Sequence, residues 1–296
     1  MKNISRMQKW REAQYLLFLI PALTVYIIFF LYPVLSTIGL SMTDARITGG
    51  DYQFVGLQNF RELFTGVSRF PTALKNNLLF TFLVTIMQSS IAFFLALVLD
   101  APLRGKGAFK TYFFTPVVIT AVAVSLIWDF MYDPSTGVMN TLLEGVGLGF
   151  LKKNWLGDKS IAMFSLSLVQ VWQWVGYEMM IFIAGLNAIP REMYEVSKIE
   201  GANYFQTLRY VIIPCSRTAI VMAIVLTTTG CFKVFDLVYI MTGGGPVFST
   251  EVLAKMVYDY AFRYGQMGFA SSISVVLMCI IMLIGFGQLV LTREKD

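Results

Sequence analysis

Residues 190–214 read PREMYEVSKIEGANYFQTLRYVIIP, and this charged stretch decides the fold because it interrupts a chain that is otherwise mostly apolar. Pro190 suits the first turn of a helix, and Gly201 suits the position just past a helix end. Asn203, with Gln206 three residues on, has the form of a capping box that opens a second short helix. Pro214 closes the segment where the next apolar run begins. Two short helices joined at a glycine make a stiff, compact knob. An amphipathic loop lying on a membrane surface has the same spacing, so spacing alone leaves both readings open.

On either side of this stretch the composition is that of a membrane protein. Of 296 residues, 56% are hydrophobic and only 14% charged, with a mean hydropathy of +0.66. A spanning helix needs about 20 mostly apolar residues. Runs free of Asp, Glu, Lys and Arg cover Ala13–Thr43, Asn76–Leu99, Thr111–Trp128, Ser160–Tyr177, Thr218–Phe232 and Tyr264–Thr292. The fourth and fifth are short but continue past single charges, Glu178 and Lys233. Lipid offers no partner to unpaired backbone groups, so each run is predicted to be a helix. The expected fold is an all-α integral membrane protein with six transmembrane helices in a single domain, 1–296. The spans fall at roughly 14–37, 76–99, 111–131, 160–186, 214–240 and 267–291, with the cytoplasmic loop at 187–213 between spans four and five. The first run is too long for a signal peptide and lacks a small-x-small ending, so it is expected to remain as an uncleaved span. The short turn at Asp100–Lys110 predicts that spans two and three are antiparallel neighbours.

Lysine and arginine set the orientation. With the N-terminus inside, the short cytoplasmic pieces hold Lys2, Arg6, Lys9, Arg11, Arg104, Lys106, Lys110, Arg191, Lys198, Arg209, Arg217, Arg293 and Lys295. Fewer fall in the longer outer loops at about 41–75, 132–159 and 241–266. This bias predicts both termini in the cytoplasm. The net charge of +5 is then mostly a topology signal, with no nucleic-acid partner implied.

Enzyme chemistry finds little support. The chain has no histidine, which excludes histidine metal ligands, Ser-His or Cys-His pairs and a histidine proton relay. Cys215, Cys231 and Cys279 lie in or beside spans without close spacing, so neither a disulfide framework nor a zinc site is expected. No H-E-x-x-H, G-x-S-x-G or C-x-x-C occurs. Nor is there a G-x-x-x-x-G-K-[ST]; Gly105-Lys106 is followed by glycine, and Gly243–Gly245 reads as a tight turn. No phosphate-cradling loop is therefore evident in the sequence.

Polar residues inside spans are costly unless they pair or line a pathway. In span four, Gln170, Gln173, Trp174, Tyr177 and Glu178 share one helical face. In span two, Asn77, Thr81, Thr85, Gln88 and Ser89 form a similar stripe. Amides suit sugar hydroxyls, and aromatic rings suit sugar C–H faces. Gln88, Gln170 and Gln173 lie near mid-depth, where transporter sites tend to be. The same stripes equally suit helix–helix adhesion. In span five, Lys233 and Asp236 are spaced to pair along a helix. They read either as a structural pair or, with Phe232, Phe235 and Tyr239, as part of a gate.

The stretch at 190–214 also resembles the EAA loop of binding-protein-dependent ABC importer permeases, through Glu195, Gly201, Ala202 and the ending Ile212-Ile213-Pro214. Further pieces resemble the sugar branch of that family, specifically the maltose-transporter F-type subunits. They are Phe235-Asp236-Leu237-Val238-Tyr239 with Thr242-Gly243-Gly244-Gly245-Pro246, Val55-Gly56-Leu57-Gln58-Asn59-Phe60, Gly137-Val138-Met139-Asn140 and Trp155-Leu156. Two departures stand out. The two alanines of E-A-A are Val196 and Ser197, and Glu200 replaces the usual Asp; both suggest a contact adapted to one ATPase.

The resemblance implies a non-catalytic pore subunit in a bacterial or archaeal cytoplasmic membrane that moves a sugar or oligosaccharide inward. Polyols and glycerol phosphate esters belong to the same branch. It implies a second, different permease subunit, an ABC ATPase dimer carrying ATP and magnesium, and an extracytoplasmic solute-binding protein; this chain itself binds no cofactor. Glu195, Val196, Ser197, Gly201, Ala202 and Pro214 are then the ATPase-coupling residues. The competing class is an ion-coupled secondary transporter, which normally shows intramembrane acidic or histidine relays and internal repeats; neither is evident here.

Overall fold

A computed structural model describes residues 19–65, 69–100 and 104–292. Lys2, Arg6, Lys9, Arg11, Arg293, Lys295 and the first residues of span one lie outside the described residues. The described chain is helical, with one isolated antiparallel bridge between Thr43 and Phe54. It forms two compact units, Met1–Glu62 with Tyr258–Val276, and Leu63–Val257 with Leu277–Asp296.

The first unit contains α1, Leu19–Leu40. Asn59 holds the loop that follows it: its buried Nδ2 donates to the carbonyls of Ser41 and Thr43, at 2.9 and 2.8 Å. The Val55–Phe60 motif therefore works here as a loop clamp. Backbone bonds Ile47 N–H to Gly265 O and Gly268 N–H to Ala45 O, both 2.9 Å, complete the unit.

The second unit is built around α2 (Phe70–Asp100) and α6 (Ala162–Asn187). Between them in sequence come α3 (Lys106–Val118), α4 (Ala121–Tyr132) and α5 (Val138–Gly145). After them come α7 (Arg191–Ile199), α8 (Tyr204–Cys215), α9 (Arg217–Phe232), α10 (Asp236–Met241), α11 (Leu253–Tyr258) and α12 (Met267–Thr292), of which Tyr258 and the α12 residues up to Val276 belong to the first unit. Contrary to the expectation from the short turn, α2 and α3 are not principal neighbours; both pack on α6, as does α9. Small residues set this arrangement. A Cβ on Gly176 would collide with the Phe113 carbonyl of α3, and one on Gly185 would collide with Ala219 of α9. Only glycine lets those backbones approach so closely.

α1, α2 and Met267–Gln288 of α12 are each long and apolar enough to cross a membrane, and the bent pairs α3–α4 and α8–α9 meet the same measure when each pair is taken together. α6, at 26 residues, spans about 39 Å at 1.5 Å per residue, but its polar stripe dilutes its apolar character.

Two expected spans are not straight. The third turns by 98° between α3 and α4. Pro116 sits in the last turn of α3, and Thr120 caps α4 by accepting the Ala123 N–H at 3.4 Å. The Ile119 carbonyl at the bend accepts from Gln173 Nε2 of α6 at 3.1 Å, replacing a partner that lipid could not supply. The fifth expected span, 214–240, ends its main helix at Phe232, with Lys233 as C-cap and α10 starting at Asp236. Lys233 and Asp236 thus flank a break, and no ion pair joins them among the described residues. Asn77 of α2 bonds both sides of this region, donating to the Cys231 carbonyl at 3.2 Å and accepting the Leu253 N–H at 3.0 Å.

Candidate transport pathway and coupling surface

The polar faces predicted for spans two and four meet at one buried carboxylate. Glu178 of α6 is 1% exposed. Its Oε2 accepts from Gln88 Nε2 at 2.7 Å and from the Thr227 hydroxyl at 3.1 Å. Its Oε1 accepts from the Ser89 hydroxyl at 2.6 Å. Gln88 Nε2 also reaches Thr227 Oγ1 at 3.1 Å. Three helices, α2, α6 and α9, are therefore tied at one point by neutral donors around an acid.

This node forms one wall of a cavity of about 270 Å³. Its lining comprises Gln88, Gln170, Trp174, Tyr177, Glu178 and Ile181, with Ala223, Leu226, Thr227, Gly230 and Cys231 from α9. Trp174 and Tyr177 meet edge to face, centroids 6.0 Å apart, and both are partly open to the cavity side. Gln88 Oε1 is buried and accepts no hydrogen bond. The arrangement offers one amide at Gln88, a second amide at Gln170, an indole and a phenol. Such a set complements a small polyhydroxylated molecule, with hydroxyls to the amides and C–H faces to the rings.

The predicted pathway residues separate into groups. Gln88, Gln170, Trp174, Tyr177 and Glu178 come together at the cavity. Gln173 points elsewhere and holds the α3–α4 bend. Phe232 is buried, Lys233 and Asp236 are exposed at the helix break, and Phe235 stacks on Tyr239 at 5.2 Å; none of these lines the cavity. Sequence reasoning missed the α9 wall because Ala223, Gly230 and Cys231 carry no polar signal. Their small size at helical spacing was the available clue.

It also missed an ion pair. Lys255 Nζ lies 3.1 Å from Glu251 Oε2, with both side chains at most 3% exposed. The pair sits under the Gly243–Gly245 turn, where a Cβ on Gly244 would strike the Glu251 carboxylate. Asn76 Nδ2 donates to the Phe248 and Glu251 carbonyls at 2.9 and 3.0 Å. The Thr250 hydroxyl donates to Gly245 O at 2.6 Å. The glycine-rich turn is thereby fixed from beneath.

The knob at 190–214 has the local chemistry expected of it. Gly201 adopts φ +72°, and the two bonds that end α7 run from Gly201 N–H to Lys198 O at 3.1 Å and from Ala202 N–H to Ser197 O at 2.9 Å. This pairing is a Schellman motif, which requires a left-handed residue at that position. The capping box is complete: Gln206 N–H donates to Asn203 Oδ1 at 3.0 Å and Asn203 N–H to Gln206 Oε1 at 2.8 Å. Tyr194 and Ser197 face inward; burial first, then the Asp100 carboxylate, pushes the Tyr194 phenol above its ordinary range. Glu195, Val196 and Pro214 are exposed, and Ala202 is half-buried. Val196 thus lies outside the tightly packed face, and Ser197 is the replaced alanine that packs. Ile199, 83% exposed, joins Tyr204 and Phe205 in an outward apolar surface that motif matching did not single out.

Comparison with known proteins matches this architecture. The model of the binding-protein-dependent transport system inner membrane component family matches residues 14–293. A probable ABC transporter permease protein of Bacillus subtilis (strain 168) is 38% identical, over 92% of this chain and 94% of the relative. A trehalose/maltose transport system permease protein of Thermococcus litoralis is 28% identical, over 95% of this chain and 94% of its own. The fold resembles a chain of a bacterial ABC transporter involved in import of the acidic polysaccharide alginate, with a TM-score of 0.83 and 21% identity, covering 99% of this chain and 100% of that one. With the bent apolar helices and the capped knob, a match across residues 14–293 places the chain in the family of binding-protein-dependent transport system inner membrane components.

Proposed function

We propose that this chain is the sugar-conducting permease subunit of an ABC importer, working by alternating access driven by a separate ATPase. The observation that carries this reading is the knob: two short helices locked by a Schellman glycine and a capping box, with Val196, Ile199, Tyr204 and Phe205 exposed. A rigid element with an apolar outer surface suits a cleft on a partner that moves during its own cycle. Both units belong to one permease domain with six spans, α6 among them, and with both termini in the cytoplasm.

The cavity beside Glu178 is the part of the pathway that this subunit contributes. Gln88, Gln170, Trp174 and Tyr177 contact the passing sugar, and Glu178 holds Gln88 in place. The sugar-type names of its relatives and the amide–aromatic lining support a sugar or oligosaccharide; a polyol or glycerol phosphate ester is the alternative cargo within the class. A second permease completes the pathway, an ATPase dimer holds ATP and magnesium below it, and a solute-binding protein delivers cargo from outside a bacterial or archaeal cytoplasmic membrane.

Purification of the tagged chain from its native membrane tests the assembly. A second permease, an ATPase and a solute-binding protein should co-purify. A chain that emerges alone and still transports in ATP-free liposomes is an ion-coupled carrier instead.

A further inference from the structure

α5 is amphipathic, with Asn140 on its inward side and Thr141 and Glu144 exposed, and the turn after it adds apolar surface. Met139 and Leu143 turn inward, Met139 against the buried core, while Val138, Leu142 and Val146, spaced by four, are exposed, and Phe150 is 78% exposed. An amphipathic helix ordinarily buries its apolar stripe, yet Val138, Leu142 and Val146 stay exposed among the described residues.

The exposure does not come from a loose loop. Asn140 on the inward side donates to Lys153 O at 3.0 Å and to Pro134 O at 3.3 Å, and its Oδ1 accepts from Trp155 Nε1 at 2.9 Å. Gly137 starts the helix where a Cβ would collide with the Asp133 carbonyl. Its N–H donates to that carbonyl at 3.0 Å, so α5 begins within one tight turn of the end of α4. α4 itself presents Val122, Leu126, Ile127 and Phe130 outward, the face a membrane span gives to lipid. Beyond the apolar stripe stand Lys152, paired with Glu144, and the exposed Lys153.

We propose that α5 and residues 146–151 lie in the interfacial layer of the outer leaflet. Val138, Leu142, Val146 and Phe150 enter the acyl region, and Lys153 meets anionic headgroups. The segment is continuous with the lipid face of α4 and fastens the second outer loop to the bilayer at a fixed height. This assignment rests on the topology proposed above.

Nitroxide labels test it on the assembled transporter in nanodiscs containing phosphatidylglycerol. Cys215 and Cys279 are first replaced by serine, and single cysteines are placed at Leu142, Val146 and Phe150, with Phe130 and Lys153 as references. Collision with oxygen should exceed collision with a water-soluble nickel chelate at 142, 146 and 150, as at 130, and the order should reverse at 153. Adding the solute-binding protein should leave the ratios unchanged. Water-like ratios at 142, 146 and 150 with a lipid-like ratio at 130 would overturn the proposal alone. A water-like ratio at 130 as well would remove the topology beneath it. Protection that arises only on adding the solute-binding protein would make the face a receptor dock, and labels immobile and shielded from both reagents would assign it to the second permease.

Discussion

Glu178 is a carboxylate held at the meeting of three helices by neutral donors alone. Replacing it with leucine leaves one Gln88 N–H without its acceptor, the other still reaching Thr227, while the Ser89 and Thr227 hydroxyls can turn to their own helix carbonyls. We expect Glu178→Leu to cost about 1–3 kcal/mol, the penalty of one unsatisfied buried polar group. Thermal unfolding of the purified complex would register the loss, and Glu178→Gln, which keeps one acceptor, should lose less. Equal stability of the leucine variant would show that the node is not a tie. Asp133 behaves differently because it sits, half-buried, in the turn that ends α4. The Ser135 hydroxyl and the Thr136 N–H lead the bonds that hold its carboxyl well below the ordinary carboxylate range. A lowered value means the turn is favoured above the ordinary carboxylate range and loses that support as pH falls through and below it. The protection of the Ser135 and Thr136 amides, taken relative to their intrinsic exchange rates, should therefore fall on acidification, and Asp133→Asn should abolish that change in protection. An acid response that survives in Asp133→Asn would assign it to another group.

At the scale of elements, the apolar runs in the sequence located the helices well, because runs of that length have few alternatives in lipid. The knob was legible in more detail still: Gly201, Asn203 and Gln206 each do what their residue types predict. The breaks within spans three and five were not legible. A bend is stable only when distant residues satisfy the freed backbone, and nothing near Ile119 reveals that Gln173 will do so 54 residues later. Asn77, read as part of a polar stripe, likewise serves a break 154 residues away. The Glu251–Lys255 pair was hidden for a related reason: an i,i+4 pair in a loop looks solvated until its burial is known. Its near-complete burial gives a clear expectation. Glu251→Met should cost about 3–5 kcal/mol by removing the buried carboxylate from this pair, and its effect should not add to that of Lys255→Met. A thermal-stability cycle reads the coupling, and additive losses would contradict it.

For the whole molecule, the polar stripes and the knob take up opposite tasks. Hydrogen-bonding and aromatic groups line the cavity, while Val196, Ile199, Tyr204 and Phe205 expose apolar surface on the knob; under the proposed function the first meets the solute and the second the ATPase. Composition and motif spacing made this division readable, but not which polar residues face the cavity. Gln173 and Gln170 look equivalent in sequence, and only the packing of α3 and α9 against α6 separates them. In the proposed function, movement enters through the knob from an ATPase on another chain. Gly201 is the residue on which to test it, since its φ of +72° disfavours any side chain while the space around it is open. The measurement is solute uptake by proteoliposomes holding the complete transporter, wild type or Gly201→Asp, with ATP supplied at the ATPase face. We predict ATP-dependent uptake in the wild type and a loss of at least about tenfold, equivalent to 1.4 kcal/mol of coupling, in a variant that still assembles. Unchanged uptake by Gly201→Asp, or wild-type uptake that proceeds without ATP, would contradict the account.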